Sequence, residues 1–316
     1  MSIQPGLHSA LAAPPGIQIE QLVLASGITL SLRSAGPLDG AVVVLLHGFP
    51  QGAFVWDGVL LHLASLGYRA VAPNLRGFER SSAPPEVSAY RAKHLVADIV
   101  GLMEQLSPGK AVHALVAHDW GGAAAWNLAN QHPQRIERLC IVNSPHPGPF
   151  LRALQHDPAQ QAASAYMNFL TEPGAAHALR ANGFALMWQF LNGMHPGSST
   201  NTLPDWVTPE LKAQHEAVWA MGLQGGCNYY AASPLRPATQ ADAAAQAIEL
   251  PASMLHIGVP THVLWGMQDT ALLPCLLDGL DVHVPELKVT QVPDASHWVI
   301  HEQPKRVQEW LSQSLQ

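Results

Sequence analysis

Hydrophobic positions along this chain follow two periods in turn. IQIEQLVLASGITLSLRSAG, residues 17–36, holds two short apolar/polar alternations joined at a Ser-Gly pair, which predicts a β-hairpin. AVVVLLHG, residues 41–48, opens with six apolar positions in a row, as expected for a strand covered on both faces of a parallel sheet. Strand-like and helix-like stretches then alternate: FVWDGVLLHLASLG, YRAVAPNLRG, AYRAKHLVADIVGLMEQLS, AVHALVAHD, a helix to about residue 131, and RLCIVNSP. This pattern predicts an α/β fold with a mostly parallel central sheet and helices on both faces.

After Pro147 the rhythm changes. Residues 148–250 are rich in Ala, Gln, His, Trp and Tyr, are broken by PGSSTNTLPDWVTP, and contain no buried-strand run. They read as helices and loops. The strand pattern resumes at THVLWGMQD (261–269), passes a short helix at ALLPCLLDGL and the strand LKVTQVP, and ends on the helical KRVQEWLSQSL. The expected organisation is a core in two parts, 1–147 and 251–316, split by a helical cap at 148–250. Ligands in an open α/β sheet bind beyond the carboxyl ends of the strands, so an insertion leaving that end would roof the crevice.

Composition narrows the partners. Sixteen Lys plus Arg against twenty-three Asp plus Glu leave a formal charge of −7, which gives no footprint for nucleic acid or an anionic membrane. The opening MSIQPGLHSALAAPP lacks the basic start and apolar core of a secretory signal, and no run of eighteen apolar residues occurs. Cys140, Cys227 and Cys275 are odd in number and lack a CxxC spacing, which fits a reducing, cytoplasmic setting. Seventeen histidines invite a metal, but no Cys/His cluster stands at ligand spacing, so no metal is expected. A small, neutral ligand is the expectation that remains.

Candidate chemistry starts at AHDWGG, where Asp119 lies directly between a strand and a helix among small residues. Alone, Asp119 could cap that helix. It could also be the exposed centre of a sharp strand-to-helix turn, the nucleophile elbow of an α/β-hydrolase. HGFP (47–50) favours the second reading, because the loop after the earlier buried strand can supply a second backbone N–H to an oxyanion. The donors are then Phe49 and Trp120, with His47 bracing the loop. Asp269 follows a strand in LWGMQD, and His297 lies in the loop VPDASHWVIHEQP before the last helix. Nucleophile, acid and histidine therefore run 119, 269, 297, the chain order of an α/β-hydrolase triad. Asp294 is expected to cap its loop and His301 to be structural. An aspartate nucleophile attacks an sp3 carbon and forms an alkyl ester, which requires a leaving group such as an epoxide oxygen or a halide.

HGFP, NLRGF, AHDWGG, NSPHPG, LWGMQD and SHWVIHEQP together resemble the epoxide hydrolases of the α/β-hydrolase fold, in the branch that also holds haloalkane and fluoroacetate dehalogenases. The resemblance spans nearly the whole chain. YMNFLTEPGAA resembles the family's first cap segment and places Tyr166 on its first acid tyrosine; CNYYAAS resembles the second and matches Tyr230. Ala231 stands where many relatives carry an arginine, so Tyr229 stays open as the alternative. Two phenols suit an epoxide, since they can hold the ring oxygen and protonate it as the C–O bond breaks.

The resemblance implies a cofactor-independent hydrolase, monomer or homodimer, acting with water on an apolar or aromatic epoxide. Expected substrate contacts are His47, Phe49, Trp120, Tyr229, Trp298 and parts of FALMWQFLNGMH, residues 184–195. Two alternatives stand beside it: a dehalogenase using the same aspartate, and a binding protein that keeps the fold without turnover. Fluoroacetate dehalogenases carry arginines where this chain has Trp120 and Ala123, and haloalkane dehalogenases commonly carry Asn where it has Phe49.

Overall fold

A computed structural model describes residues 10–193 and 203–316. Among them, β1 (Gln18–Val23), β2 (Thr29–Ala35), β3 (Val42–Leu46), β4 (Arg69–Pro73), β5 (Ala114–His118), β6 (Leu139–Val142), β7 (Thr261–Gly266) and β8 (Leu287–Val292) form one sheet in the order β1-β2-β4-β3-β5-β6-β7-β8. The N-terminal hairpin adds the antiparallel pairs β1–β2 and β2–β4, and every other neighbour is parallel. The uninterrupted apolar runs have their cause here: β3, β5 and β6 lie inside the sheet and are buried at every residue.

Helices α1 (Asp57–Ser65), α2 (Ala92–Leu106) and α3 (Trp120–Gln131) follow β3, β4 and β5, and α10 (Val299–Glu302) and α11 (Pro304–Ser314) close the chain. α1 packs on α11, and α2 packs on α3. On α2, Leu95, Ile99, Leu102 and Leu106 repeat at helical spacing and form the buried stripe. The segment expected to be a short helix at ALLPCLLDGL forms no α-helix: it holds a 3-10 turn, Pro274–Leu277, and the start of another, Leu280–Val282.

Between β6 and β7 the chain forms the inserted helical cap: α4 (Pro147–His156), α5 (Pro158–Ala163), α6 (Tyr166–Leu170), α7 (Ala175–Gly193), α8 (Pro209–Met221) and α9 (Gln224–Ala232). Three of these begin alike, with proline at the first helical position and a side chain before it that accepts a backbone N–H: His146, Asp157 and Thr208. α7 turns a corner at Ala181–Phe184, where three residues in succession take positive φ. α9 carries two glycines in its first turn, Gly225 and Gly226, because it touches the core with its backbone there. A Cβ on Gly225 would lie 2.4 Å from the Gly77 carbonyl oxygen, and one on Gly226 would lie 2.6 Å from the Phe49 ring. Among the described residues no helix is long and apolar enough to cross a membrane.

Candidate active site

The loops after β3, β5, β7 and β8 meet under the cap. Asp119 sits at the tip of the β5–α3 turn with φ 50° and ψ −121°, and its side chain makes no capping bond to α3. Capping is therefore not what holds it. A non-glycine residue in this region carries about 1–3 kcal/mol of strain, which the surroundings must sustain. They do so through close packing: a Cβ on Gly122 would fall 2.3 Å from the Ser144 side chain, and one on Gly121 2.6 Å from the His47 carbonyl. Ser144 Oγ also donates to the Asp119 carbonyl at 2.7 Å.

The HGFP loop comes in from the neighbouring strand. The Phe49 amide donates to Asp119 Oδ1 at 2.8 Å, and the Trp120 amide adjoins the same carboxylate. Gly48 makes the approach possible, since a Cβ there would lie 2.3 Å from Asp119 Oδ1. Burial pushes the Asp119 carboxyl above the usual carboxylate range, and His297 with the two amides only partly offsets that.

His297 faces two carboxylates. Its Nδ1 donates to Asp269 Oδ2 at 2.8 Å, which in the neutral ring leaves Nε2 as the basic nitrogen, 3.9 Å from Asp119 Oδ2. Burial works to lower the His297 pKa, but Asp269 and then Asp119 outweigh it, and the net shift is upward. Asp269 is held by donors on both oxygens: the Ala271 and Leu272 amides on Oδ1 at 2.9 and 2.8 Å, and Asn143 Nδ2 beside His297 on Oδ2 at 2.8 Å.

The cap lowers two phenols onto this floor, Tyr166 from α6 and Tyr230 from α9. Their rings meet edge to face with centroids 6.1 Å apart, and the Trp120 ring meets Tyr230 in the same way at 5.0 Å. Tyr166, Tyr230, Trp120 and Asp119 line one cavity of about 230 Å³. Its wall follows α3 from Trp120 through Ala123 to Asn127 and is completed by apolar residues such as Met167, Leu235, Ile248 and Leu250. Burial above all, with the nearby Asp119 carboxylate among the further causes, pushes both phenols far above their usual range, so each keeps its proton as a donor.

Several expected contacts lie elsewhere. Tyr229 contributes its ring to the cavity wall, but its hydroxyl donates to the Arg76 carbonyl at 2.9 Å and points away from Asp119. His47 is wholly buried; its Nε2 accepts the Leu75 amide at 3.0 Å, so it braces the loop from behind and does not reach the cavity. Trp298 is also buried and donates its indole N–H to the Leu191 carbonyl of the cap at 3.1 Å, outside that lining. Phe49 offers its amide only, because its ring is packed against Phe190 and Tyr230. Residues 184–193 do not line the cavity, Met187 and Trp188 being buried within the cap, and residues 194 and 195 lie outside the described residues. Asp294 holds Gln303 and Arg306 at the start of α11.

The sequence reading missed Asn143 and His118. Asn143, at φ 37°, accepts the Gly266 amide at 2.9 Å while donating to Asp269, and its signal was the quoted NSPHPG run. His118 Nε2 donates to the His297 carbonyl at 3.0 Å; burial drives its pKa well down, so it stays neutral beside the His297 ring.

The parallel sheet, the strained aspartate between strand and helix, and the histidine and carboxylate that face it define an α/β-hydrolase. A family model for the alpha/beta hydrolase fold matches residues 41–304. Over 298 residues the chain is 33% identical to an AB hydrolase superfamily protein, YfhM, of Bacillus subtilis (strain 168), covering 93% of this chain and 97% of that one. It is 30% identical over 318 residues to an epoxide hydrolase of Caballeronia sordidicola, with 92% and 91% covered. An epoxide hydrolase of Bacillus megaterium, crystallised with an inhibitor, superposes with a TM-score of 0.83 at 26% identity, covering 94% of this chain and 99% of that chain. The chain belongs to the epoxide hydrolase family of the α/β-hydrolase fold.

Proposed function

We propose that this protein converts an apolar or aromatic epoxide to a vicinal diol through a covalent ester on Asp119, with residues 148–250 as the cap over the site. An Asp119 oxygen attacks a ring carbon, the C–O bond of that carbon breaks, and the departing oxygen takes a proton from Tyr166 or Tyr230. His297, oriented by Asp269, then removes a proton from water as the water oxygen adds to the Asp119 carbonyl carbon. The oxyanion is held by the Phe49 and Trp120 amides. Collapse expels the diol oxygen, which takes the proton from His297; the proton left on the Asp119 carboxyl is released to solvent, and the phenolate takes one back from solvent.

The observation that carries this reading is that Tyr166 and Tyr230, edge to face with ring centroids 6.1 Å apart, line the same cavity as Asp119, both phenols held protonated. A halide needs N–H donors, and here Tyr230 packs edge-on against the Trp120 ring at 5.0 Å, bringing an O–H donor to the place a halide would take, which places dehalogenation second. Incubation with styrene oxide and with 1-chloro- and 1-bromoalkanes, scored for diol and for halide, tests the choice. Diol from the epoxide with negligible halide is expected. Halide release outpacing diol formation would replace this reading by the dehalogenase one.

A further inference from the structure

Cap helix α8 reaches the loop that carries the Phe49 amide with two side chains four residues apart, hence on one helix face. Trp219 donates its indole N–H to the Pro50 carbonyl at 2.7 Å. His215 sets its Nε2 3.4 Å from the Gln51 side-chain nitrogen. The His215 Nδ1 lies 2.9 Å from the Leu211 carbonyl, which only accepts, so Nδ1 carries the proton and Nε2 is the acceptor. Gln51 thus donates one hydrogen to His215 and the other to His301 Nε2 at 2.6 Å on α10. Trp219, His215 and Gln51 are all essentially without exposed surface.

The two ends of the HGFP loop are therefore held by different bodies. Its start is fixed to the core, where His47 accepts the Leu75 amide. Its end, Pro50 and Gln51, is gripped by the cap. The Phe49 N–H lies between, 2.8 Å from Asp119 Oδ1. We propose that Trp219 and His215 are positioning residues for this oxyanion donor, so that the cap sets the geometry of the ester-hydrolysis step as well as roofing the cavity. The inference rests on the covalent reading above.

That reading makes the two chemical steps respond differently. During alkylation negative charge leaves Asp119, so an N–H on its oxygen stabilises the starting state more than the transition state. During hydrolysis negative charge develops on the same carbonyl oxygen, and the N–H binds the transition state more strongly. Loosening the loop should slow hydrolysis and spare alkylation.

The test is Trp219→Phe, which keeps an aromatic ring but deletes the indole N–H, followed by rapid-quench measurement of both steps with styrene oxide. Deleting one oxyanion donor outright costs about 10²–10³-fold, so a misplaced one should slow hydrolysis by roughly tenfold. The alkylation rate and kcat/KM should hold, while kcat and KM fall together and alkylated Asp119 accumulates. His215→Phe, which removes the cap's acceptor for Gln51 and leaves Trp219 and the Gln51–His301 link in place, should show the same split and decides the matter if Trp219→Phe does not fold. Equal slowing of both steps, or an unchanged hydrolysis rate, would overturn the inference while wild type still forms its alkyl-enzyme. Absence of alkyl-enzyme in wild type would remove the covalent reading and this inference with it.

Discussion

Asp269→Asn exchanges one carboxylate oxygen for an NH2 group, and the donors around it determine the outcome. If the nitrogen takes the Oδ1 place it faces the amides of Ala271 and Leu272, two buried backbone donors that cannot change roles. Each would lose its acceptor, at about 1–3 kcal/mol apiece. If it takes the Oδ2 place it faces Asn143 Nδ2 and His297 Nδ1. Asn143 cannot simply turn over, because its oxygen accepts the Gly266 amide. His297 can adapt by moving its proton from Nδ1 to Nε2, so this arrangement costs less and should prevail. The Nε2 atom that faces Asp119 would then carry a hydrogen and be unable to act as a base.

General-base assistance is worth roughly 10²–10⁴-fold, and ester hydrolysis should slow by that factor. Alkylation should change far less, since the Asp119 carboxylate and both phenols are untouched. In rapid-quench experiments with styrene oxide the variant should give one burst of alkylated Asp119, seen as a mass adduct on its peptide, with little diol afterwards. Hydrolysis close to the wild-type rate, or an equal fall in alkylation, would refute the role given to Asp269.

Tyr166→Phe and Tyr230→Phe should each slow alkylation, and the double change should cost about 10²–10⁴-fold, with ester hydrolysis much less affected; stopped-flow separates the two. Tyr229→Phe should leave alkylation near wild type while costing about 1 kcal/mol in urea unfolding, because only its bond to the Arg76 carbonyl is lost. Gly48→Ala should abolish turnover in a diol assay, since its methyl would overlap Asp119 Oδ1. Burial lowers the His47 and His215 pKa values from 6.5 to about 4, and those of His146 and His301 to about 3. These four rings therefore bind more protons in the unfolded chain below pH 6.5, and the stability they contribute falls as pH drops from there toward 4. A shift like that of His47 alone is worth roughly 3 kcal/mol. Thermal midpoints flat or rising across that range would contradict the burial of these rings as neutral groups.

Local pattern made the scaffold legible. Unbroken apolar runs gave the inner strands, and the helix after Asp119 ends at Gln131 as its spacing implied. The motif AHDWGG left capping and chemistry open for Asp119, and only the backbone geometry, φ 50° without a capping bond, separates them. What stayed hidden depends on contacts distant in the chain. Asn143 lies 126 residues before the Asp269 carboxylate it touches, and Trp219 lies 169 residues after Pro50. Adjacent tyrosines could not be distinguished by sequence either, because their difference is what each meets from α9: Tyr229 donates its hydroxyl to the Arg76 carbonyl, whereas Tyr230 packs edge-on against Tyr166 and Trp120. His47 and Trp298 looked like pocket residues through their neighbours in the motifs, whereas their ring nitrogens serve the loop and the cap from behind.

The covalent ester on Asp119 is the central claim, and oxygen labelling under single-turnover conditions reaches it most directly. Enzyme in excess over styrene oxide, in heavy-oxygen water, should yield a first diol free of solvent label, because the incoming oxygen belongs to Asp119. Over repeated turnovers the label should then enter the Asp119 carboxylate and be found in its peptide by mass spectrometry. Solvent oxygen in the first diol, with Asp119 left unlabelled, would mean that water attacks the epoxide directly and would contradict the account.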